Sequence, residues 1–268
     1  MRLIVTSQQD VAGTNVYNEL ARNFGFAAEG EFEGRAILKR GEVWAIATDK
    51  KQTEAEHLDV LFDAEYYVFA SRHRSESRTK TLTVHVTGNL TSQALVGGKP
   101  RQLAWCNPSA MKVALQELQR AKLQDYKVSM EATHHGPTGL KKPVLFVEVG
   151  STETEWNDAE AVRAVASAAL AAAENRKEYE SAIGIGGSHY APRHTSAMLE
   201  SSIAIGHIIP SYAIDEIDVD VLAQAVEKSS ASFGFLDWKG MKKEQRDKVI
   251  ALAAELNLKL KRGRDLEI

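Results

Sequence analysis

Nine short runs rich in apolar and β-branched residues alternate with helical patterns along this 268-residue chain. The alternation predicts an α/β fold, because strands that follow one another through helices form a sheet covered on both faces. A turn at KRG, Lys39–Gly41, joins two of the runs as an antiparallel hairpin. We therefore expect a three-layer sandwich around a central mixed, mostly parallel sheet. The runs are RLIVTS, AILKR, VWAIATD, YYVFAS, LTVHVTG, YKVSMEAT, PVLFVEVG, SAIGIGG and SSIAIGH.

Helices are predicted where apolar residues recur at the spacing of a helical turn. In the second of the predicted helices, Lys112, Glu117 and Arg120 fall on the side opposite the apolar stripe. No repeat or low-complexity linker divides the chain, so residues 1–268 are expected to form a single α/β domain, in which residues 239–268 are a basic C-terminal helix and strand. The predicted helices are Thr14–Phe24, Ser109–Leu123, Asp158–Arg176, Val219–Ser229 and Lys242–Leu256.

The charge balance limits the kinds of partner that this chain can bind. With 33 Lys and Arg against 36 Asp and Glu, bulk charge does not favour coating of nucleic acid, so any RNA contact must be local. The stretch from Lys239 to Arg264 is the local exception, with nine basic and three acidic residues. It is either a solvated helix face followed by a basic edge strand, or a contact with an RNA backbone.

Cysteine content and missing motifs exclude several classes of protein. Cys106 is the one cysteine, which excludes an internal disulfide and any zinc site that needs two cysteines, so a metal would need mainly His and carboxylate ligands. Beside Trp105, a lone cysteine favours inert packing over an activated thiolate. No nucleophile elbow, phosphate-binding P-loop or HExxH motif is present. Neither a signal peptide nor a membrane-spanning run is found, so we expect a cytoplasmic protein.

Polar clusters follow five of the predicted strands: SRHRS, THHGPT, GST, GGSHYAPRHT and GHIIPSY. If these strands are parallel, the clusters lie together at the carboxyl edge of one sheet, where open α/β folds build their sites. Five of the eight histidines occur in these loops, which is typical of a functional site. They are His73, His134, His135, His189 and His194.

Three features within these segments suggest chemistry. His134 and His135 precede Gly136-Pro137, and only a turn lets both rings converge; otherwise they are surface residues or bind backbone. Glu148 interrupts an apolar strand, where a buried carboxylate is a candidate base, acid or ligand. Alternatively, it is solvated or pairs with an arginine such as Arg193. His85 shares one face of its strand with threonines, where it either ligates a metal or hydrogen-bonds a hydroxyl.

Two loops are suited to phosphate or ribose. Gly184–Thr195 has glycines that allow close backbone approach, although it lacks the third glycine of a dinucleotide fingerprint. Ser71–Lys80 has four basic residues that suit phosphate recognition by arginine forks. A plain tight turn and a solvated loop are the respective alternatives.

Taken together, these segments resemble the archaeal and plant type of D-aminoacyl-tRNA deacylase. The matching motifs run in order from Phe69 to Ala213, with a weaker match at TSQQDVAGTNV, and the last fifty or so residues match weakly. Ser188 and Gly139 depart from residues that are common in the family, glycine and an acidic residue respectively. The motifs are FASRHRS, LTVHVTGN, NPSAMK, EATHHGPT, FVEVGSTETEW, GIGGSHYAPRHT and GHIIPSYA.

The resemblance implies a single catalytic domain that hydrolyses the ester between a D-amino acid and the terminal ribose of tRNA. It also implies a zinc requirement and a fold similar to nucleoside phosphorylases and peptidyl-tRNA hydrolases. D-aminoacyl-tRNA is then the partner, bound through its 3′ end, with rejection of L side chains by steric conflict. We expect a monomer without an obligate protein partner or a membrane.

On this hypothesis, water activated by zinc or by a histidine of the THHGPT loop attacks the ester carbonyl. His134, His189 and Glu148 are the candidates for proton transfer and orientation. The candidate zinc ligands, of which three or four at most are expected to bind, are His73, His85, His135 and His194. The candidates for holding phosphates and ribose are Arg72, Arg74, Arg193 and the backbone amides of Gly186 and Gly187.

Three other functions remain open from the sequence. A peptidyl-tRNA hydrolase-like esterase would use the same terminal adenosine but accept an N-blocked L-peptide. A non-catalytic tRNA-binding module would keep its histidines for structure alone. A nucleoside phosphorylase would release a free base in a phosphate-dependent reaction.

Overall fold

A computed structural model describes residues 1–266 of the chain. Its strands are β1 (Arg2–Ser7), β2 (Ala27–Phe32), β3 (Arg35–Arg40), β4 (Val43–Thr48), β5 (Tyr67–Arg72), β6 (Thr81–His85), β7 (Gly88–Asn89), β8 (Gln102–Leu103), β9 (Lys127–Met130), β10 (Val144–Gly150), β11 (Glu180–Ile185), β12 (Ile203–Ile209), β13 (Phe233–Leu236) and β14 (Lys259–Lys261). Its α-helices are α1 (Val11–Asn23), α2 (Leu58–Leu61), α3 (Pro108–Ala121), α4 (Glu153–Trp156), α5 (Ala159–Glu174), α6 (Pro192–Glu200), α7 (Val219–Lys228) and α8 (Lys243–Glu255).

The large sheet has eight strands in the order β2-β3-β4-β1-β5-β10-β6-β9. Strands β4, β1, β5 and β10 run parallel, whereas β6 is antiparallel to β10 and β9 is parallel to β6. The KRG turn joins β3 to β4 as an antiparallel hairpin. These pairings confirm the predicted mixed, mostly parallel sheet.

A second, parallel sheet has the order β12-β11-β13-β14, and a short pair is formed by β7 and β8. The runs SAIGIGG and SSIAIGH therefore lie outside the large sheet, which corrects the expectation that five polar loops share one carboxyl edge. The backbone still joins the two sheets, because Ala132 N–H donates to the His189 carbonyl at 2.7 Å and Thr133 N–H donates to the Ile208 carbonyl at 3.0 Å. The polar loops meet between the sheets.

Helices cover the large sheet on one face, where α1, α3 and α5 pack. Tyr66 points to this layer and its hydroxyl donates to the Ala172 carbonyl of α5 at 2.7 Å. Tyr67 points to the other face, where its hydroxyl donates to Asp59 in α2 at 3.0 Å. Alternate residues of β5 thus face opposite layers, and Phe69 and Ser71 follow Tyr67 to the face away from α5.

The five predicted helices are confirmed, with ends within three residues of those predicted. One residue of α3 is placed differently. Lys112 is buried rather than on the solvent side, and its ammonium donates to the carbonyls of Ser201 at 2.8 Å and Ile203 at 2.9 Å. The long side chain thus satisfies carbonyls just beyond the end of α6, a helix that the sequence did not predict.

The second sheet takes part in two clusters of buried apolar residues. Ala182 of β11 packs in the same cluster as the large sheet, whereas its neighbours Ile183 and Ile185 pack with Val221 and Leu222 of α7. This sharing supports a single domain, which stays a prediction. Between residues 1 and 266, no helix is long and apolar enough to cross a membrane.

Candidate active site

A patch of polar side chains lies on the face of the large sheet that points away from α5. The register of the strands places Ser71 and Thr83 on either side of Glu148, and His85 beside Phe146. Glu148 is buried, and the Ser71 hydroxyl donates to its Oε1 at 2.6 Å. The polar layer predicted for His85 is therefore present, and the solvated alternative for Glu148 is wrong.

A second buried carboxylate, Glu131, directly follows β9 and faces the same patch. His73 Nδ1 lies 3.1 Å from Glu131 Oε1 and 3.5 Å from Glu148 Oε2, and Nε2 lies 2.9 Å from the Tyr190 hydroxyl. One imidazole therefore bridges two carboxylates. Sequence reasoning missed Glu131, because it follows its strand, whereas Glu148 lies within an apolar strand and interrupts it.

The opposite charges of His73 and the two glutamates determine which of these side chains are protonated. Burial alone would raise the pKa of Glu131, but its bond to His189 and the charge of His73 lower it to about 2. Burial is likewise outweighed at Glu148, where contacts with His73 and His85 hold the pKa well below its usual range. Burial opposes the charged form of His73, yet Glu148 and Glu131 raise its pKa to about 10. At neutral pH the carboxylates are ionised and His73 is protonated.

Three other imidazoles converge beside this group. His135 adopts a left-handed backbone with φ of 45°, and its ring centroid lies 4.9 Å from that of His85. The ring of His134 lies 4.4 Å from both the His85 and the His135 rings. The turn thus brings both loop histidines together, as the sequence required.

Backbone carbonyls orient these three rings. The Nδ1 atoms lie 3.3 Å from the Val86 carbonyl for His85, 2.8 Å from that of Ala132 for His134, and 2.5 Å from that of Gly136 for His135. An Nδ1–H that donates to a carbonyl leaves Nε2 as the lone-pair nitrogen. His134 and His135 therefore present a nitrogen that can accept a proton or bind a metal. His85 Nε2 faces Glu148 Oε1 at 3.6 Å, which despite burial raises the pKa of His85, so a metal there would replace a proton.

The environment keeps the two loop histidines neutral. Burial is the largest cause, and the neighbouring His85 adds to it, so the pKa of His134 falls well below its usual value and that of His135 falls to about 4. Within residues 1–266, the buried atoms His85 Nε2 and Glu131 Oε1 make no hydrogen bond of regular geometry, although Glu148 Oε1 lies 3.6 Å from the first and His73 Nδ1 lies 3.1 Å from the second. Buried atoms without a regular hydrogen bond fit a bound ion.

Donor atoms converge in three overlapping groups, each compact enough to hold a metal ion. Histidine nitrogens and carboxylate oxygens make up all three, with no cysteine. His73 belongs to one group, and His85 and His135 to another. The groups are His85, His134 and His135; Glu131, His134 and His189; and His73, Glu131 and Glu148.

His189 lies at the boundary between this patch and solvent. Its Nε2 is 2.9 Å from Glu131 Oε2, and its Nδ1 is 3.3 Å from the Tyr212 hydroxyl. Because the buried carboxylate accepts Nε2–H, the Nδ1 lone pair faces the Tyr212 hydroxyl at the edge of the cavity. This arrangement is typical of a histidine that acts as a general base.

A cavity of about 650 Å³ opens onto most of the histidines and onto Glu148, whereas His85 and Glu131 lie behind its lining. Arg72 and Arg74 line it, as the sequence led us to expect, and the Arg72 guanidinium stacks 5.3 Å from the Trp156 ring. Asp10 also lines it and accepts a bond from Arg72 N–H at 3.0 Å. Sequence reasoning missed several lining residues, of which the first three belong to the weakly matching N-terminal motif. They are Ser7, Gln9, Asp10, Lys51, Gln52, Thr53, Val96 and Phe146.

His194 lies apart from these groups. Its ring packs edge-on against Phe235, with centroids 5.7 Å apart, and against Gly184 of the second sheet. Helix α6 turns the ring into the apolar interior, away from the carboxylates. The structure thus corrects the prediction that His194 ligates a metal.

The predicted glycine cradle is also not supported. Gly186 N–H donates to the Ile209 carbonyl at 2.8 Å and Gly187 N–H donates to the Gly240 carbonyl at 3.4 Å, so neither amide is free for a phosphate. The Arg193 guanidinium lies beside Gly263, and Arg193 is not among the residues that line the cavity. Gly186 and Gly187 are corrected from phosphate binding to internal packing, and Arg193 to an exposed position beside Gly263, outside the cavity.

Two further residues have structural roles. His207 uses both ring nitrogens inside the protein, 3.0 Å from the Thr133 hydroxyl and 2.9 Å from the Ala104 carbonyl. Cys106 is buried, and its burial raises the pKa of the thiol to about 12. The thiol stays protonated, which confirms the inert packing expected from the sequence.

Fold and site together define a class: an α/β protein in which buried carboxylates orient a cluster of imidazoles at the floor of an open cavity. Comparison with known proteins narrows the class. The profile of the D-aminoacyl-tRNA deacylase family matches residues 60–261. The chain belongs to this family.

Relatives match over nearly the full chain. The D-aminoacyl-tRNA deacylase of Pyrococcus horikoshii is 38% identical over 96% of this chain and 98% of its own length. That of Methanosarcina acetivorans is 39% identical over 96% of this chain and 90% of its own length. A crystal structure of a conserved protein of unknown function superposes with a TM-score of 0.92, at 34% identity, over 100% of this chain and 98% of that one.

Proposed function

We propose that this protein is a hydrolase that cleaves the ester between a D-amino acid and the 3′-terminal adenosine of tRNA. Family membership and the names of the relatives support this substrate. The observation that carries the chemistry is the contact of 2.9 Å between buried Glu131 and His189 at the edge of the cavity. Such a pair can activate water for attack on an ester.

In the proposed reaction, His189 Nδ1 takes a proton from a water molecule as the water oxygen attacks the ester carbonyl carbon. Glu131 stabilises the imidazolium that forms, because it already accepts the Nε2–H. The tetrahedral intermediate collapses, the bond to the ribose oxygen breaks, and that oxygen takes the proton back from His189. The products are a free D-amino acid and tRNA with its hydroxyl restored.

Positive groups line the same cavity and suit the charge of the substrate. His73 is protonated at neutral pH, since its pKa is raised to about 10. Both of its ring nitrogens are engaged inside the protein, so its charge keeps the two buried carboxylates ionised. Arg72 and Arg74 are placed to contact the ribose and phosphate of the terminal adenosine. Phe146 and Val96 supply apolar surface for the base or the amino-acid side chain.

We further propose that zinc binds to His85, His134 and His135. The orientation of their rings and the lack of a regular hydrogen bond at His85 Nε2 within the described residues support this set. It moves His134 from proton transfer to metal binding and leaves His73 as a charge partner of the two carboxylates. When bound, zinc would supply Lewis-acid polarisation of an oxygen atom or of water in the cavity.

The activity is tested by measuring hydrolysis of D-tyrosyl-tRNA, L-tyrosyl-tRNA and N-acetyl-L-tyrosyl-tRNA in parallel. We expect hydrolysis of the D ester alone. Preference for the N-blocked L ester would favour a peptidyl-tRNA hydrolase. A protein that binds tRNA and cleaves none of the three would be a binding module.

The proposed zinc ligands are tested by measuring the zinc content of the protein rather than its activity. Purified protein should carry about one zinc that His85→Ala and His135→Ala lose, whereas the matched change His57→Ala, outside the three donor groups, retains it. Readdition of zinc should raise the unfolding temperature of the chelated wild type and of chelated His57→Ala, but not that of the other two variants. Full zinc content in both variants would overturn the assignment. We also propose that the protein is a monomer and acts in the cytoplasm, where aminoacyl-tRNA is consumed.

A further inference from the structure

A second cavity, of about 490 Å³, lies beyond Tyr212. Tyr212 connects the active site with this second cavity. Its hydroxyl lies 3.3 Å from His189 Nδ1, and its side chain lines the second cavity. The remaining lining residues that matter here are Ser211, Asp215, Lys239, Lys242 and Gln245. Tyr212 therefore lies between His189, which lines the first cavity, and the second cavity.

The second cavity has the chemistry of a single-stranded nucleic-acid contact. Tyr212 is 61% exposed, which leaves its ring available for stacking on a base. Lys239 and Lys242 make no ion pair with any residue between 1 and 266, so their charges are available to phosphates. Asp215 is the acidic lining residue, and its carboxylate lies 3.4 Å from Gln245 Nε2.

The frame of this cavity is fixed to the active site through backbone contacts. Ser211 N–H donates to the Gly187 carbonyl at 2.9 Å, two residues before His189. Gln245 of α8 donates to the Ser211 carbonyl at 2.8 Å. The distance between the general base and the lysines is therefore set by the fold, as a substrate of fixed covalent length requires.

We infer that this second cavity receives the nucleotides that precede the terminal adenosine, with Tyr212 stacking on a base and Lys239 and Lys242 contacting the phosphates. The inference rests on the proposed function, which places the ester at His189 and so directs the preceding nucleotides outward. It gives the basic segment Lys239–Arg264 an RNA contact at its N-terminal end. Its other end forms β14, a basic edge strand of the second sheet.

Binding of uncharged tRNA tests the inference without any catalysis. Charge reversal of both lysines, Lys239→Glu with Lys242→Glu, should weaken binding at least tenfold and lower the slope of log K against log salt by about 1.4, or about 0.7 per lost phosphate contact. Tyr212→Ala should weaken binding about tenfold, and Tyr212→Phe, which keeps the ring, should not. The matched control is Arg22→Glu with Lys122→Glu, two exposed residues at the ends of α1 and α3.

Kinetics separate failure of this inference from failure of the proposed function. In a protein that cleaves D-tyrosyl-tRNA, the lysine reversal should raise KM for this substrate at least tenfold more than KM for D-tyrosyl-adenosine. Unchanged tRNA binding and unchanged KM in the lysine variant would overturn the inference and leave the deacylase standing. A wild type that cleaves no D ester, with tRNA binding lost as expected in the variants, would overturn the deacylase and leave the RNA surface standing.

Discussion

His73 lies between two buried carboxylates, and this position decides how the site responds to pH. Its pKa is raised from 6.5 to about 10 by Glu148 and Glu131 against the cost of burial. A raised histidine pKa contributes stability in full below pH 6.5, and this contribution is lost as pH rises through 10. His85 is also buried, and Glu148 raises its pKa as well, so it adds to the same loss of stability above pH 6.5. Four further histidines have lowered pKa values and affect stability only below pH 6.5. They are His134, His135, His194 and His207.

The metal-free protein should therefore lose stability between pH 6.5 and pH 10. Urea unfolding in the presence of a chelator measures this loss, and His73→Gln should reduce its slope. His57→Gln, which changes a histidine paired with Glu33 at 3.4 Å outside the cavity, should leave the slope as in the wild type. An unchanged slope in the His73 variant would show that the two carboxylates do not hold its proton.

At the level of single residues, the sequence predicted the members of the site better than their roles. His73, His85, His134, His135, Glu148 and His189 do converge. Glu131 escaped notice because one acidic residue at the end of a strand carries no periodic signal. His194 and Arg193 were misplaced because α6 was read as a loop, and the start of a helix at Pro192 directs the following side chains by helical rather than loop geometry.

Three loop segments, which contain Thr53, residues 96–98 and Gly136, contact one another beside the cavity. Glycine is required where they meet. A Cβ atom on Gly97 would lie 2.1 Å from the Thr53 carbonyl oxygen, and one on Gly136 would lie 2.4 Å from Gly98 N. Gly136 N–H also donates to the Val96 carbonyl at 2.9 Å. This crossing fixes the histidine turn to two walls of the cavity.

Gly97→Ala should separate these segments. The matched control is Gly34→Ala, since φ is +71° at Gly97 and +76° at Gly34, but nothing lies within 4 Å of a Cβ at Gly34. Gly34→Ala should cost only the backbone strain, about 1–2 kcal/mol. Gly97→Ala should cost more in urea unfolding and should lower activity as well. Equal losses in the two variants would show that the crossing does not hold the cavity.

Among the elements, the periodicity of the chain predicted helices and strands but not the way the strands are shared between sheets. Nine apolar runs are strands, yet nothing in SAIGIGG or SSIAIGH distinguishes a strand of the large sheet from one of the second. The direction of β9 was equally hidden, because it depends on pairing with β6. Lys112 shows the same limit, since its burial depends on the end of α6.

The catalytic pair is a property of the whole molecule. Glu131 follows β9 of the large sheet and His189 follows β11 of the second, and the two meet because the sheets are joined by backbone bonds at Ala132 and Thr133. Partial unfolding that separates the two sheets would also separate the Glu131 carboxylate from the His189 imidazole. Activity should therefore be lost no later than the global fold.

The catalytic role of Glu131 and His189 is tested most directly by single-turnover hydrolysis of D-tyrosyl-tRNA, with the wild type and Glu131→Gln compared at saturating protein. We predict that the wild type cleaves the D ester and spares L-tyrosyl-tRNA. The variant, which keeps the side-chain shape but loses the charge, should bind tRNA normally and cleave about 10² to 10⁴ times more slowly. Glu31→Gln at an exposed position is the matched control. Cleavage by Glu131→Gln at the wild-type rate would contradict the role assigned to Glu131 and His189.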